Sequence, residues 1–204
     1  MQVRAVRDTK VTLPGDEPDD LEPLERLPRE GESITERVIN GETWTRGALT
    51  GLTLRRSWLT RADLSAATFA NATLDRCVLV GCSLVGVTFD TVTAKDVLFD
   101  NCRLDYATFE RFKSAGPVAF VGCSLAETIF RTSTLTAAVF EDCKLAGASF
   151  DSCDLRGADL RGNDLAGLTG ATGLRGVTLA ESQLPALTEL LVSELSIKVS
   201  SDPR

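Results

Sequence analysis

Phe140, Leu145, Phe150, Leu155, Leu160 and Leu165 recur at an interval of five. The register runs back through Leu135, Phe130, Leu125 and Phe120. An eleven-residue step then reaches Phe109, and the fives resume through Leu104, Phe99, Ala94, Phe89, Leu84, Leu79, Leu74, Phe69, Leu64, Leu59, Leu54 and Leu49. Of these 23 centres, 22 are Leu or Phe. Chance would fill about four or five, so the chain is read first as an internal repeat. The residue two before each centre is small, as in Ala62, Ala67, Ala72, Cys82, Cys102, Ala107, Ala148 and Ala158, with Leu52 and Asn163 as the poor fits.

Five residues advance a helix by about 500°, which would scatter the large residues around its surface. A strand alternates with period two, and five is odd. A coil with four five-residue sides satisfies the pattern, with the centre and the small residue pointing inward. Such a square predicts a second period of twenty. Phe69, Phe89 and Phe109 obey it, and Phe130 and Phe150 continue the column after the one-residue insertion. Phe99, Phe120 and Phe140 form a second column. Coil-on-coil ring contacts, each adding about 0.5–1.5 kcal/mol beyond area burial, explain this registration.

The segments "RADLS", "RGADL" and "RGNDL" resemble the A(D/N)LXX motif of the pentapeptide-repeat family over roughly residues 44–179. The resemblance implies an all-β fold, a right-handed quadrilateral β-solenoid of pentapeptide repeats, here with a short C-terminal α-helical cap. Coils should rise by about 4.8 Å each, giving a rod on the order of 30 Å long whose ends need caps. Within residues 180–195, Leu184, Leu187, Leu191 and Leu195 fall on one helical face, with Ser182 as N-cap and Pro185 in the first turn. That helix is expected to cap the last coil. Family resemblance adds the alternative of a dimer helix. The expected organisation is an acidic, proline-containing N-terminal arm over 1–40, the solenoid over 41–179, and helix and tail over 180–204.

Composition excludes several functions. The chain has no histidine, so a His-based triad is ruled out and the commonest metal ligand is missing. The net charge is −7. Ten acids and six bases lie in residues 1–40, against fifteen and thirteen in 41–168, so no basic patch for direct nucleic-acid binding stands out. No apolar run is long enough for a membrane span. The N-terminus turns acidic where a signal peptide would need apolar residues, so a cytoplasmic location is expected. All six cysteines occupy the small-residue slot, four of them in one column: Cys82, Cys102, Cys123 and Cys143. They lack paired zinc-type spacing and read as buried filling. No phosphate loop or nucleophile–base pair appears, so no catalytic residue, cofactor or metal is expected.

Function must then lie on the outer faces. One face carries an apolar stripe just before and after its centres: Trp58, Val78, Val80, Leu98, Ala119, Val121 and Val139. Such a patch usually marks a contact. The N-terminal arm, a second copy giving a homodimer, or another protein would cover it. The expected function is a non-enzymatic structural or protein–protein interaction module whose partner the sequence does not name. The family resemblance supplies the alternative of a DNA-mimicking modulator of DNA gyrase or topoisomerase IV, of the quinolone-resistance type.

Overall fold

The computed structural model of the chain describes residues 2–200. The repeat becomes a β-solenoid of about six turns, mostly strands, with one short C-terminal helix. Parallel pairing repeats at a step of twenty. Thr53–Thr60 pairs with Thr73–Val80, placing Leu54 beside Leu74 and Leu59 beside Leu79. Four faces follow, designated by their centres: face A (Leu59, Leu79, Phe99, Phe120, Phe140), face B (Leu64, Leu84, Leu104), face C (Phe69, Phe89, Phe109) and face D (Leu54, Leu74, Ala94). Faces D and A share a nine-stranded sheet, because each strand such as Thr93–Asp100 turns the corner between them. Face C is a five-stranded sheet, and face B is joined by single bridges such as Asp63 to Ser83.

The period of five is set at the corners. The residue two after each centre takes a left-handed backbone, as at Arg61 (φ 53°), Ala66 (φ 57°), Thr91 (φ 56°) and Thr132 (φ 50°). Only glycine adopts this without penalty, so each non-glycine corner costs about 1–2 kcal/mol. Inward stacking offsets it. Phe99, Phe120 and Phe140 stack at 4.8 and 4.9 Å, with interplanar angles of 5° and 8°. Phe109 and Phe130 stack at 4.5 Å in the neighbouring column, and the two columns meet edge to face.

The eleven-residue step is a local bulge on face D. Where the three preceding coils have one strand of eight residues, this one has Lys113–Ser114 and Val118–Val121, interrupted at Gly116 and Pro117. Ser114 pairs with Ala94, so two small residues sit at consecutive centres. Phe112, in the slot normally kept small, compensates. Its buried ring lies edge-on to Phe89 and Phe109, so large and small exchange places and the layer's volume is kept.

The first coil starts inside the segment read as arm. Ser33–Thr35 and Arg37–Asn40 pair with the strand Thr53–Thr60, and Glu22–Pro23 adds one further rung beside Arg37 and Val38. Ile34 and Ile39 are buried in the main core. At the other end, Ala171–Leu174 and Glu181–Gln183 are single 3-10 turns leading into the helix Leu184–Glu194.

Candidate functional site

The apolar stripe on face A is covered by the chain's own N-terminus. Val3–Val6 and Thr9–Thr12 form an antiparallel hairpin with a two-residue turn at Arg7 and Asp8. Val6 and Val11 point down from it and, with Val38, Trp58, Val78, Leu98, Ala119 and Val139, make a second buried cluster separate from the main core. Val80, Val121, Leu13 and Leu21 pack at its margins. The candidate stripe is therefore covered within the chain by its own N-terminus. The N-terminus lies along the face from Asp159 at the hairpin turn back to Val38, where the chain enters the solenoid. We call residues 2–21 the strap.

Polar clips register the strap. Arg4 pairs with Asp100, and the backbone N–H of Thr12 donates to Asp96 Oδ1 at 2.8 Å. Arg7 donates to Asp159 Oδ1 and to the Arg161 carbonyl, both at 2.6 Å, with Glu141 3.9 Å away. Arg161 bridges Asp159 at 2.6 Å and Asp8 at 3.2 Å. Burial raises the Asp159 carboxyl, but the bonds from Arg161 and the charge of Arg7 outweigh it and hold that carboxyl below its ordinary value. Nearer the N-terminal end, the Trp58 indole N–H donates to the Asp16 carbonyl at 3.0 Å.

The C-terminal helix caps the last coil with a different face from the expected one. Leu190 is buried, and Ala186 and Leu187 pack on the core. Leu184, Leu191 and Leu195 are 51%, 36% and 62% exposed, and Ile197 and Val199 beyond them are also open. Two polar anchors set the rotation. Gln183 donates through Nε2 to the carbonyls of Leu160 and Asn163 at 2.9 and 2.7 Å. Glu194 accepts the backbone N–H groups of Gly170 and Ala171. Positions 183, 187, 190 and 194 share a face, which turns Leu184, Leu191 and Leu195 away. Ser182 is not the N-cap. Gln183 instead accepts the Ala180 N–H at 2.8 Å.

The cysteine column continues into these anchors. Cys82, Cys102, Cys123 and Cys143 each donate Sγ–H to a carbonyl of the preceding coil, those of Leu59, Leu79, Phe99 and Phe120, at 3.3–3.4 Å. Asn163 Nδ2 makes the next such bond, to Phe140 at 2.8 Å, and Gln183 the one after. Asn163 also accepts the Cys143 N–H at 2.8 Å. The poor fit of Asn163 to the repeat thus marks where thiols give way to amides that close the end. Burial pushes Cys77 up to about 12, and contact with the neighbouring thiol together with burial raises Cys82 and Cys102. Contact with Cys123 lowers Cys143 instead. Among the described residues no group of three or more His, Cys, Asp or Glu side chains is placed to hold a metal. No helix is long and apolar enough to cross a membrane.

Charge on the rod is paired at eight of the fifteen carboxylates of residues 41–168. On face A, Asp100, Glu141 and Asp159 face Arg4, Arg7 and Arg161. Along face C, Asp90 and Glu110 bind Arg111, and Arg131 lies 3.9 Å from both Glu110 and Asp151. Asp154 binds Arg156 at 2.6 Å, which lowers its carboxyl to about 2.

A family model described as pentapeptide repeats matches the chain in eight copies, at residues 49–93 and 138–169. The unmatched interval contains the bulge, Ala94 and Phe112. A comparison with curated protein sequences finds no match. Among solved structures, the chain is similar to trypsin-treated QnrB1, a plasmid-mediated fluoroquinolone resistance protein, at 20% identity over 93% of this chain and 98% of that one, with a TM-score of 0.41. A pentapeptide repeat protein from the Arabidopsis thaliana thylakoid lumen is 21% identical over 62% of this chain and 70% of that one, with a TM-score of 0.38. HetL, a pentapeptide repeat protein involved in heterocyst differentiation regulation from the cyanobacterium Nostoc sp. strain PCC 7120, is 19% identical over 76% and 86%, with a TM-score of 0.29.

Proposed function

We propose that this chain, which belongs to the pentapeptide-repeat family, is a non-enzymatic protein–protein interaction module whose contact surface is its C-terminal end. The observation that supports this reading is the exposed row of Leu184, Leu191 and Leu195 on a helix otherwise fixed by Gln183 and Glu194. Spacings of seven and four keep the row on one side of the helix, the arrangement that a second helix accepts. The occupant is a second copy, because a self-complementary patch about a two-fold axis needs only one such row from each chain. Elsewhere the stripe on face A is occupied by the strap, and faces A and C carry ion pairs.

The alternative supplied by the family, DNA mimicry toward DNA gyrase or topoisomerase IV, needs a row of unneutralised carboxylates at phosphate-like density. The pairing of Asp100, Asp159, Asp90, Glu110 and Asp151 with arginines weighs against it. Light-scattering mass of the wild type and of Leu191→Glu/Leu195→Glu tests the proposal. The expected result is a dimer that becomes a folded monomer in the variant. A wild-type monomer at all concentrations overturns it, as does a dimer that the two charges leave intact. A supercoiling assay with purified gyrase is expected to show neither inhibition nor drug protection, and either effect would restore the alternative.

A further inference from the structure

The strap is attached to the rod in an unusual way. Its hairpin is a sheet of its own, and no backbone–backbone hydrogen bond joins the described strap residues to the solenoid. The first such bond outside the strands runs from Leu24 N–H to the Val38 carbonyl, after the strap has ended. The rod's ladder is therefore complete beneath the strap and stays complete if the strap lifts. What holds the strap is contacts that each use at least one side chain: Val6 and Val11 on the apolar stripe, Trp58 on the Asp16 carbonyl, Arg161 on Asp8, and the clips to Asp96, Asp100, Asp159 and the Arg161 carbonyl. Arg7 at the hairpin tip has a left-handed backbone (φ 51°), a strained choice for a side-chain-bearing residue that its three partners fix in place. Behind the hairpin, Pro14 is buried, Gly15, Asp16 and Glu17 are exposed, and Pro18–Asp20 forms a 3-10 turn. A groove of about 590 Å3 opens beside it, lined by Pro18, Leu21, Pro23, Val38 and Val80 among others.

Lifting the strap would uncover a stripe of apolar side chains, from Trp58 to Val139, flanked by Asp96, Asp100, Glu141 and Asp159. That combination has a definite complement: an extended segment with apolar residues toward the rod and arginine or lysine at its margins. The strap sequence "VRAVRDTKVT" is one example, and its fit is seen directly. We propose that face A is a docking surface for a basic, apolar-patterned hairpin of another protein, and that the strap is its resident, self-supplied occupant. Binding by the partner would be competition for one site, so its apparent affinity is set by how firmly the clips hold the strap.

The test uses full-length protein and a fluorescent peptide of residues 2–13 as probe. Wild-type chain is expected to bind the probe weakly. Arg4→Glu/Arg7→Glu chain, whose resident strap is repelled by Asp100 and Asp159, is expected to bind it about tenfold more tightly or better. Adding Leu98→Asp to that chain should abolish binding. Hydrogen exchange gives a second reading: strap amides should exchange faster than rod amides, and faster again in Arg4→Glu/Arg7→Glu with the rod unchanged. No probe binding to the charge-reversed chain overturns the proposal, and so does binding that survives Leu98→Asp. Strap amides that exchange only with the rod overturn it as well. A wild-type chain that dimerises by trading straps would replace the foreign partner with a second copy, against the proposal.

Discussion

Replacing Phe120 by leucine isolates what ring stacking adds to this solenoid. Phe120 has four ring neighbours: Phe99 at 4.8 Å and Phe140 at 4.9 Å above and below, and Phe109 at 6.0 Å and Phe130 at 6.3 Å edge-on. Phe69, at the start of the other column, has Phe89 alone, at 5.0 Å. Both side chains are buried, and leucine is the other residue the repeat uses at its centres. Area and volume losses are therefore similar at the two sites, and the difference between them reports the rings. At the low end of the usual range, roughly 0.5 kcal/mol per pair, four pairs contribute about 2 kcal/mol and one pair about 0.5. Phe120→Leu should then cost about 1.5 kcal/mol more than Phe69→Leu. The assay is urea unfolding followed by far-UV circular dichroism, with the midpoint difference read at constant slope. Equal losses at the two positions, or a larger loss at Phe69, would refute the reasoning and leave area burial as the whole explanation.

Asn163→Ala leaves the Cys143 N–H and the Phe140 carbonyl without their amide partner at a buried end, and should lower stability by about 2–3 kcal/mol in the same assay. Thr132→Gly removes a β-branched residue from a left-handed corner and should raise stability by about 1 kcal/mol. Asp159 has its folded-state carboxyl below the ordinary value, so its contribution to strap docking is fully present above about pH 4 and is lost as pH falls through the folded value. Hydrogen-exchange protection of Thr9 to Thr12 should therefore fall at acid pH before that of the rod, and Asp159→Asn should already lack that step at neutral pH.

The solenoid was legible in the sequence because its determinant is strictly periodic. Each centre repeats the same local choice, and the step of twenty confirms closure into a square. The bulge was legible only as a register shift. Its packing was not, because Phe112 works by exchanging size with Ala94 and Ser114 across neighbouring coils, which no single repeat reveals. The stripe on face A was legible as seven residues, Trp58 to Val139. Its cover was harder to read, since Val6 and Val11 lie in a hairpin with no repeat, and the clips join Arg4 and Arg7 to residues far along the chain. The strands before residue 40 were harder to read for the related reason that Ile34 and Ile39 sit on centres whose neighbours depart from the motif. In the helix, apolar periodicity pointed to Leu184, Leu187, Leu191 and Leu195. The phase was decided by Gln183 and Glu194 against free carbonyl and N–H groups of the last coils, a requirement that exists only once those coils are built. Asn163 was the available signal: a polar residue in a small-residue slot, twenty residues before Gln183.

The central claim is that two rods meet through their C-terminal ends, and small-angle X-ray scattering on the wild type tests it most directly. The account predicts a dimer whose longest dimension is about twice that of one rod, on the order of 60 Å plus caps, with an unchanged cross-section. A monomer, or a dimer of single-rod length and doubled cross-section, would contradict it.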